Sequence, residues 1–140
     1  MSINKLLKAG ILLLALCMTG CSDSQKEYQW EAMDKLKDTP VESIDKISFD
    51  FETEGGRLAK ETVSAAEISD IYELLCQVSI VEPTNIGYDD AGLSIYIHTD
   101  KEEIVFDFES DVIITDKGRY LVDNIRPLEK YLYMLLDVSY

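Results

Sequence analysis

Residues 93–108 read LSIYIHTDKEEIVFDF. Leu93, Ile95, Ile97 and Thr99 alternate with Ser94, Tyr96 and His98. After the polar turn Asp100-Lys101-Glu102, Ile104, Phe106 and Phe108 alternate with Val105, Asp107 and Glu109. Alternation with period two is the pattern of a strand that buries one face and solvates the other. Two such runs across a short polar turn predict an antiparallel hairpin.

The same reading extends outward. Residues 112–115 and 119–122 form a second pair across Asp116-Lys117-Gly118, where glycine suits the left-handed position of a hairpin turn. Upstream, Ile47, Phe49 and Phe51 alternate with Ser48, Asp50 and Glu52. Glu54-Gly55-Gly56 then turns the chain, and residues 57–63 return as a strand. Ile80 and Val81 can form a short strand before a loop marked by Pro83 and by the polar residues 87–92.

Two segments follow the helical period instead. Over residues 64–78, Ile68, Ile71, Tyr72, Leu75 and Val78 share one face, and Ser64 with Glu67 has the spacing of a capping box. Over residues 125–137, Leu128, Tyr131, Leu132 and Leu135 repeat in the same way. Asn124 can cap this helix, and Pro127 is tolerated in a first turn. The expected fold is therefore α+β, in the order β-β-α-β-β-β-β-α. Its sheet is mainly antiparallel, and both helices pack on one face.

Residues 1–21 read MSINKLLKAGILLLALCMTGC. Lys5 and Lys8 precede an apolar run over residues 9–18, which is too short to span a bilayer at about 20 residues. Small residues follow, and then Cys21. A basic start, a short apolar middle and a small-residue exit read as an export signal. Met18-Thr19-Gly20-Cys21 resembles the lipobox of bacterial lipoproteins, with Met18 where that family more often has Leu. The resemblance implies cleavage before Cys21, acylation of its thiol, and a protein held on the bacterial cell membrane facing outside the cytoplasm. Residues 44–137 have the general look of small domains on Gram-positive surface lipoproteins, and no functional residue is carried over from them.

On this reading residues 1–20 are a signal peptide and residues 44–140 a single domain. Residues 21–43 are the lipidated cysteine and a tether, in which residues 28–37 can form a short helix ended before Pro40. Trp30 in that segment either contacts a partner or the membrane interface, or docks back on the domain. Docking is the preferred reading.

Charge excludes one class of partner. Loss of residues 1–20 removes Lys5 and Lys8 and no acid, taking the formal charge from −14 to −16. Such a chain repels nucleic acid and attracts basic proteins or cationic envelope components. With Cys21 acylated and Cys17 removed with the signal, Cys76 is the one remaining thiol and has no bridge partner. Its position at the edge of a helical stripe suggests an inert, packed residue. His98 is the only histidine, so a zinc site of Cys/His type is not expected. Asp89-Asp90 lacks the spacing of a calcium loop. No cofactor is expected.

No activity motif emerges. The alternating strands place Asp50, Glu52, Tyr96, His98, Asp107 and Glu109 on the outer sheet face, and these form the candidate binding face. Asp107 and Glu109 point the same way about 7 Å apart, which admits acid–base work but equally a solvated acidic face. The leading expectation is a membrane-anchored, non-catalytic binding or interaction module. The alternatives are an inhibitor or immunity-type lipoprotein acting on a secreted enzyme or toxin, and an enzyme of unrecognised type.

Overall fold

The computed structural model describes residues 28–87 and 92–139. Its elements are α1 (Glu31–Lys37), β1 (Ile44–Thr53), β2 (Gly56–Thr62), α2 (Ala65–Cys76), β3 (Ser79–Pro83), β4 (Gly92–Thr99), β5 (Glu103–Glu109), β6 (Val112–Thr115), β7 (Gly118–Asp123) and α3 (Ile125–Leu135). The strands form one sheet in the order β2-β1-β4-β5-β6-β7-β3, and every pairing is antiparallel. The fold is α+β, and the strand and helix order follows the hydrophobic patterning. Ile80 and Val81 belong to a full edge strand, β3, paired with β7.

Register carries the alternating apolar residues to one face. Phe49 lies opposite Ile95, which lies opposite Phe106. Ile47, Ile97 and Ile104 form the next row, and Phe51, Leu93, Phe108 and Ile113 the row on the other side. All of these are buried. A register shift between Ile44 and Lys46 lets Ile44 join them although it is three residues from Ile47. Removal from water stabilises the fold by about 1.5–3 kcal/mol for each such side chain. Ile68, Ile71 and Leu75 of α2 and Ile125, Leu128 and Leu132 of α3 cover this face.

The helix ends are tied differently from what the capping motifs suggest. Ser64 Oγ accepts from the Glu67 N–H at 3.4 Å, as expected. The return half of the box is taken by Thr62, whose Oγ1 accepts from the Ser64 N–H at 3.2 Å. Asn124 does not cap α3 with its side chain. It adopts φ +66°, and its Nδ2 donates to the Gln77 carbonyl at 3.2 Å. Asparagine tolerates the left-handed region, so this residue turns the chain into α3 while satisfying a carbonyl at the end of α2.

As preferred for Trp30, one side of the short helix in the expected tether docks on the domain. Trp30 is only 6% exposed and meets Phe106 and Phe108 edge-to-face at 5.8 and 6.4 Å. Met33 and Leu36 are buried beside it on α1. The Tyr72 hydroxyl of α2 is within reach of the Leu36 and Thr39 carbonyls, at 3.1 and 3.0 Å. The folded unit thus includes residues from Trp30 onward, and the boundary near Ile44 moves back. The reason is width. Seven strands span about 29 Å, and two helices of about 10–12 Å cover only part of that. The apolar stripe Trp30, Met33 and Leu36 covers the remainder over β5.

Leu36→Ala should therefore destabilise the whole domain by about 2–5 kcal/mol in denaturant titration. Trp30 emission should be blue-shifted and should red-shift at the same midpoint as the loss of circular dichroism. An exposed-indole spectrum in the folded protein would return residues 30–37 to the tether.

A second prediction concerns the contact of α2 with α3. The Tyr131 hydroxyl donates to Asp70 at 2.9 Å. Burial, helped by the Asp70 hydrogen bond and charge, pushes the Tyr131 phenol up to about 12. Its contribution to stability is present below the unfolded value near 10 and is lost as pH rises toward 12. Burial also raises the Tyr72 phenol, so absorbance titration should show late-titrating tyrosines, fewer by one in Tyr131→Phe, and the variant should lose less stability over that range.

Candidate functional site

The register places Asp50, Glu52, Tyr96, His98, Asp107 and Glu109 together on the face away from the helices. Asp50, Ser94 and Asp107 share a row, as do Glu52, Gly92 and Glu109. Tyr96 lies between Ser48 and Val105, and His98 between Lys46 and Glu103.

The face is not the unrelieved acidic surface that the strand sequences suggest. Arg57 Nη2 donates to Asp50 Oδ2 at 2.7 Å, and Asp50 is only 7% exposed. The Asp50 hydrogen bond and charge raise the Arg57 pKa further. Ser94 Oγ donates to Asp107 at 2.8 Å, and Arg119 pairs with Glu109. Lys46 pairs with Glu61 at 2.9 Å, and its hydrogen bond holds that carboxyl below its ordinary value. His98 Nδ1 lies 3.1 Å from Glu103, and its Nε2 lies 3.2 Å from Ser48 Oγ. Glu52 is exposed. The cations that balance Asp50 and Glu109 come from other strands, β2 and β7, so the alternation within β1 and β5 does not show them.

Cys76 is half-buried on α2. Burial pushes its thiol up, against the opposing charge of Lys37, so the thiolate that nucleophilic chemistry needs is disfavoured. Among the described residues no group of three or more His, Cys, Asp or Glu is placed to hold a metal ion. Cys21 and the Asp89-Asp90 pair lie outside the described residues.

A groove suited to a ligand lies beside this face, where the sheet is incomplete. β5 pairs with β4 along its length, from Glu109 to Glu103. On its other side it pairs with β6 only at Asp107, Phe108 and Glu109. A tight turn at Ser110, with φ +52°, and Asp111 sets this register, and the turn at Asp116-Lys117 then ends β6. Gly118 follows at φ +139°, a conformation glycine takes readily. Among the described residues, 103–106 have no strand paired on that side.

A groove of about 380 Å³ occupies the gap. Trp30, Ile104 and Ile113 supply apolar lining, and Glu31, Glu103, Asp107 and Asp116 supply four carboxylates. Among the described residues Lys35 is the one cation lining it, and it already pairs with Glu31 at 3.5 Å and Glu102 at 3.8 Å. The volume falls within the range of ligand sites, at its small end. A second recess near Glu52, Glu129 and Tyr133 encloses only about 120 Å³. Burial raises the Glu129 pKa, with Arg126 opposing and Asp111 adding to the shift.

Sequence reading found Asp107 in this groove and missed Trp30, Glu31, Glu103 and Asp116 as its companions. The available signal was the unequal length of the runs at 103–109 and 112–115, with turn residues on both sides of the shorter one.

The ion pair under the outer face generates a prediction. Arg57→Ala should lower the denaturation midpoint by leaving the Asp50 carboxylate buried without its partner, and Asp50→Asn in the same background should recover part of the loss. An Arg57→Ala midpoint equal to wild type would mean that solvent satisfies Asp50. No protein-family model, curated protein or solved structure matches this chain.

Proposed function

We propose that this protein is a lipid-anchored bacterial lipoprotein whose extracytoplasmic domain is a non-catalytic interaction module, with the groove beside β5 as its binding site. The observation that carries the reading is the groove itself, an open stretch of strand edge with an apolar floor and a rim of four carboxylates. Oppositely charged partners are steered toward such a surface.

The anchor is the lipobox-like ending at Cys21. Cys21 and the buried Trp30 are nine residues apart, a reach of at most about 30 Å. An acylated Cys21 would hold the groove, which Trp30 lines, close to the bilayer. The chain's negative charge would keep the domain off anionic headgroups while the lipid retains it there. Partners in this setting are basic proteins or cationic envelope components.

Two measurements test the proposal. Cys21→Ala should abolish metabolic lipid labelling and leave a longer precursor, and continued labelling with cleavage would overturn the anchor. From detergent-solubilised membranes, wild type should retain a basic component that elutes with salt, and a folded Glu103→Lys, Asp116→Lys variant should not. Equal retention by both proteins would remove the groove from the function.

A further inference from the structure

The gap beside β5 has walls specific enough to name what fills it, given the reading of the groove as the binding site. We propose that it accepts an extended basic segment of a partner protein, which joins the sheet as an additional strand along residues 103–106.

The backbone is already set for this. The Thr99 N–H donates to the Glu102 carbonyl at 3.0 Å, which closes the β4–β5 hairpin with a hydrogen-bonded pair. Bonded and non-bonded pairs alternate along an antiparallel ladder. Counting from Thr99 and Glu102, Ile104 and Phe106 bond to β4, and Glu103 and Val105 aim their N–H and C=O groups the other way. That way lies the groove, because β6 reaches no farther along β5 than Asp107. These are the groups a strand-adding peptide captures.

The sheet's outer edges are built differently. β3 carries Pro83 and a register shift between Ile80 and Glu82. β2 carries Arg57, Lys60 and Glu61. Proline, bulges and charges discourage pairing at an edge. Residues 103–106 contain no proline, and their register with β4 is unbroken.

The side chains select the sequence of the incoming segment. Residues pointing to the helix side meet Trp30, Ile104 and Ile113, which suits small aliphatic groups. Residues pointing outward lie among Glu103, Asp107 and Asp116, beside Val105, which is 38% exposed. Lysine or arginine fits there, with its stem on Val105 and its charge on the carboxylates. The chain's own leading segment is a poorer candidate, since Tyr28 lies against Tyr120 in β7, two strands from the open edge.

The test uses the full chain in detergent and two capped pentapeptides, Lys-Val-Lys-Val-Lys and Glu-Val-Glu-Val-Glu. The lysine peptide should change Trp30 emission saturably, and the glutamate peptide should not. Bound peptide should slow hydrogen exchange of the Glu103 and Val105 amides by at least about tenfold. Val105→Pro removes an N–H that no β4 carbonyl uses, and should weaken binding by about tenfold or more. If that variant fails to fold, Glu103→Lys with Asp116→Lys should give the same loss. Saturable binding with unslowed Glu103 and Val105 amides would overturn strand addition while leaving the interaction-module reading intact. No saturable response to the lysine peptide, or an equal response to both peptides, would overturn the basic occupant and leave the membrane-capture experiment to judge the groove.

Discussion

Burial of one face of a seven-stranded antiparallel sheet is the constraint on which the rest of the structure depends. The row Phe49, Ile95 and Phe106, with its neighbours on either side, is apolar from one central strand to the next. A face that wide needs three covering elements. α2 leaves one edge strand, β2, and delivers the chain to the other, β3. α3 lies beside α2, tied to it by the Tyr131–Asp70 hydrogen bond. α1 closes the remainder over β5, held by Trp30 and by the Tyr72 hydroxyl at its end.

The opposite face obeys a different rule. It stays polar, yet most of its charges are balanced across strands rather than left to water. Arg57 over Asp50 and Arg119 beside Glu109 bring cations from other strands to acids of β1 and β5. Arg119 also donates to the Ile86 carbonyl, so the same guanidinium ties the loop after β3 to the sheet. Exposed ion pairs contribute little stability one at a time. Their effect on recognition is larger, because they remove Asp50 and Glu109 from the charge available to a partner. Around the groove Lys35 pairs with Glu31, Glu103 lies beside His98 and Asp107 accepts from Ser94, and four carboxylates there outnumber the one lysine among the lining residues.

The groove and the core are linked through Trp30. Its ring packs edge-to-face on Phe106 and Phe108 and also lines the gap beside β5. The residue that completes the inner face therefore also lines the proposed binding groove, nine residues along the chain from Cys21 of the lipobox-like ending.

The sequence by itself determined the element types, their order and the face on which each strand residue lies. Side-chain direction alternates with period two in strands and recurs with period 3.6 in helices, so this information is local. It was enough to put Asp50, Glu52, Tyr96, His98, Asp107 and Glu109 on one surface. Turn residues also marked the hairpin partners β1–β2, β4–β5 and β6–β7, while only the tertiary structure decided how those pairs join into one sheet and which charges meet. Arg57 reaches Asp50 because β2 pairs with β1, and Arg119 reaches Glu109 because β6 and β7 fold back beside β5. The docking of residues 30–37 was equally non-local, since a three-residue apolar stripe becomes core only when a sheet face is left to cover. The gap at residues 103–106 was decided last, by two tight turns that fix where β6 begins and ends. No residue within 103–106 records it, because a missing neighbour leaves no mark on the strand that lacks it.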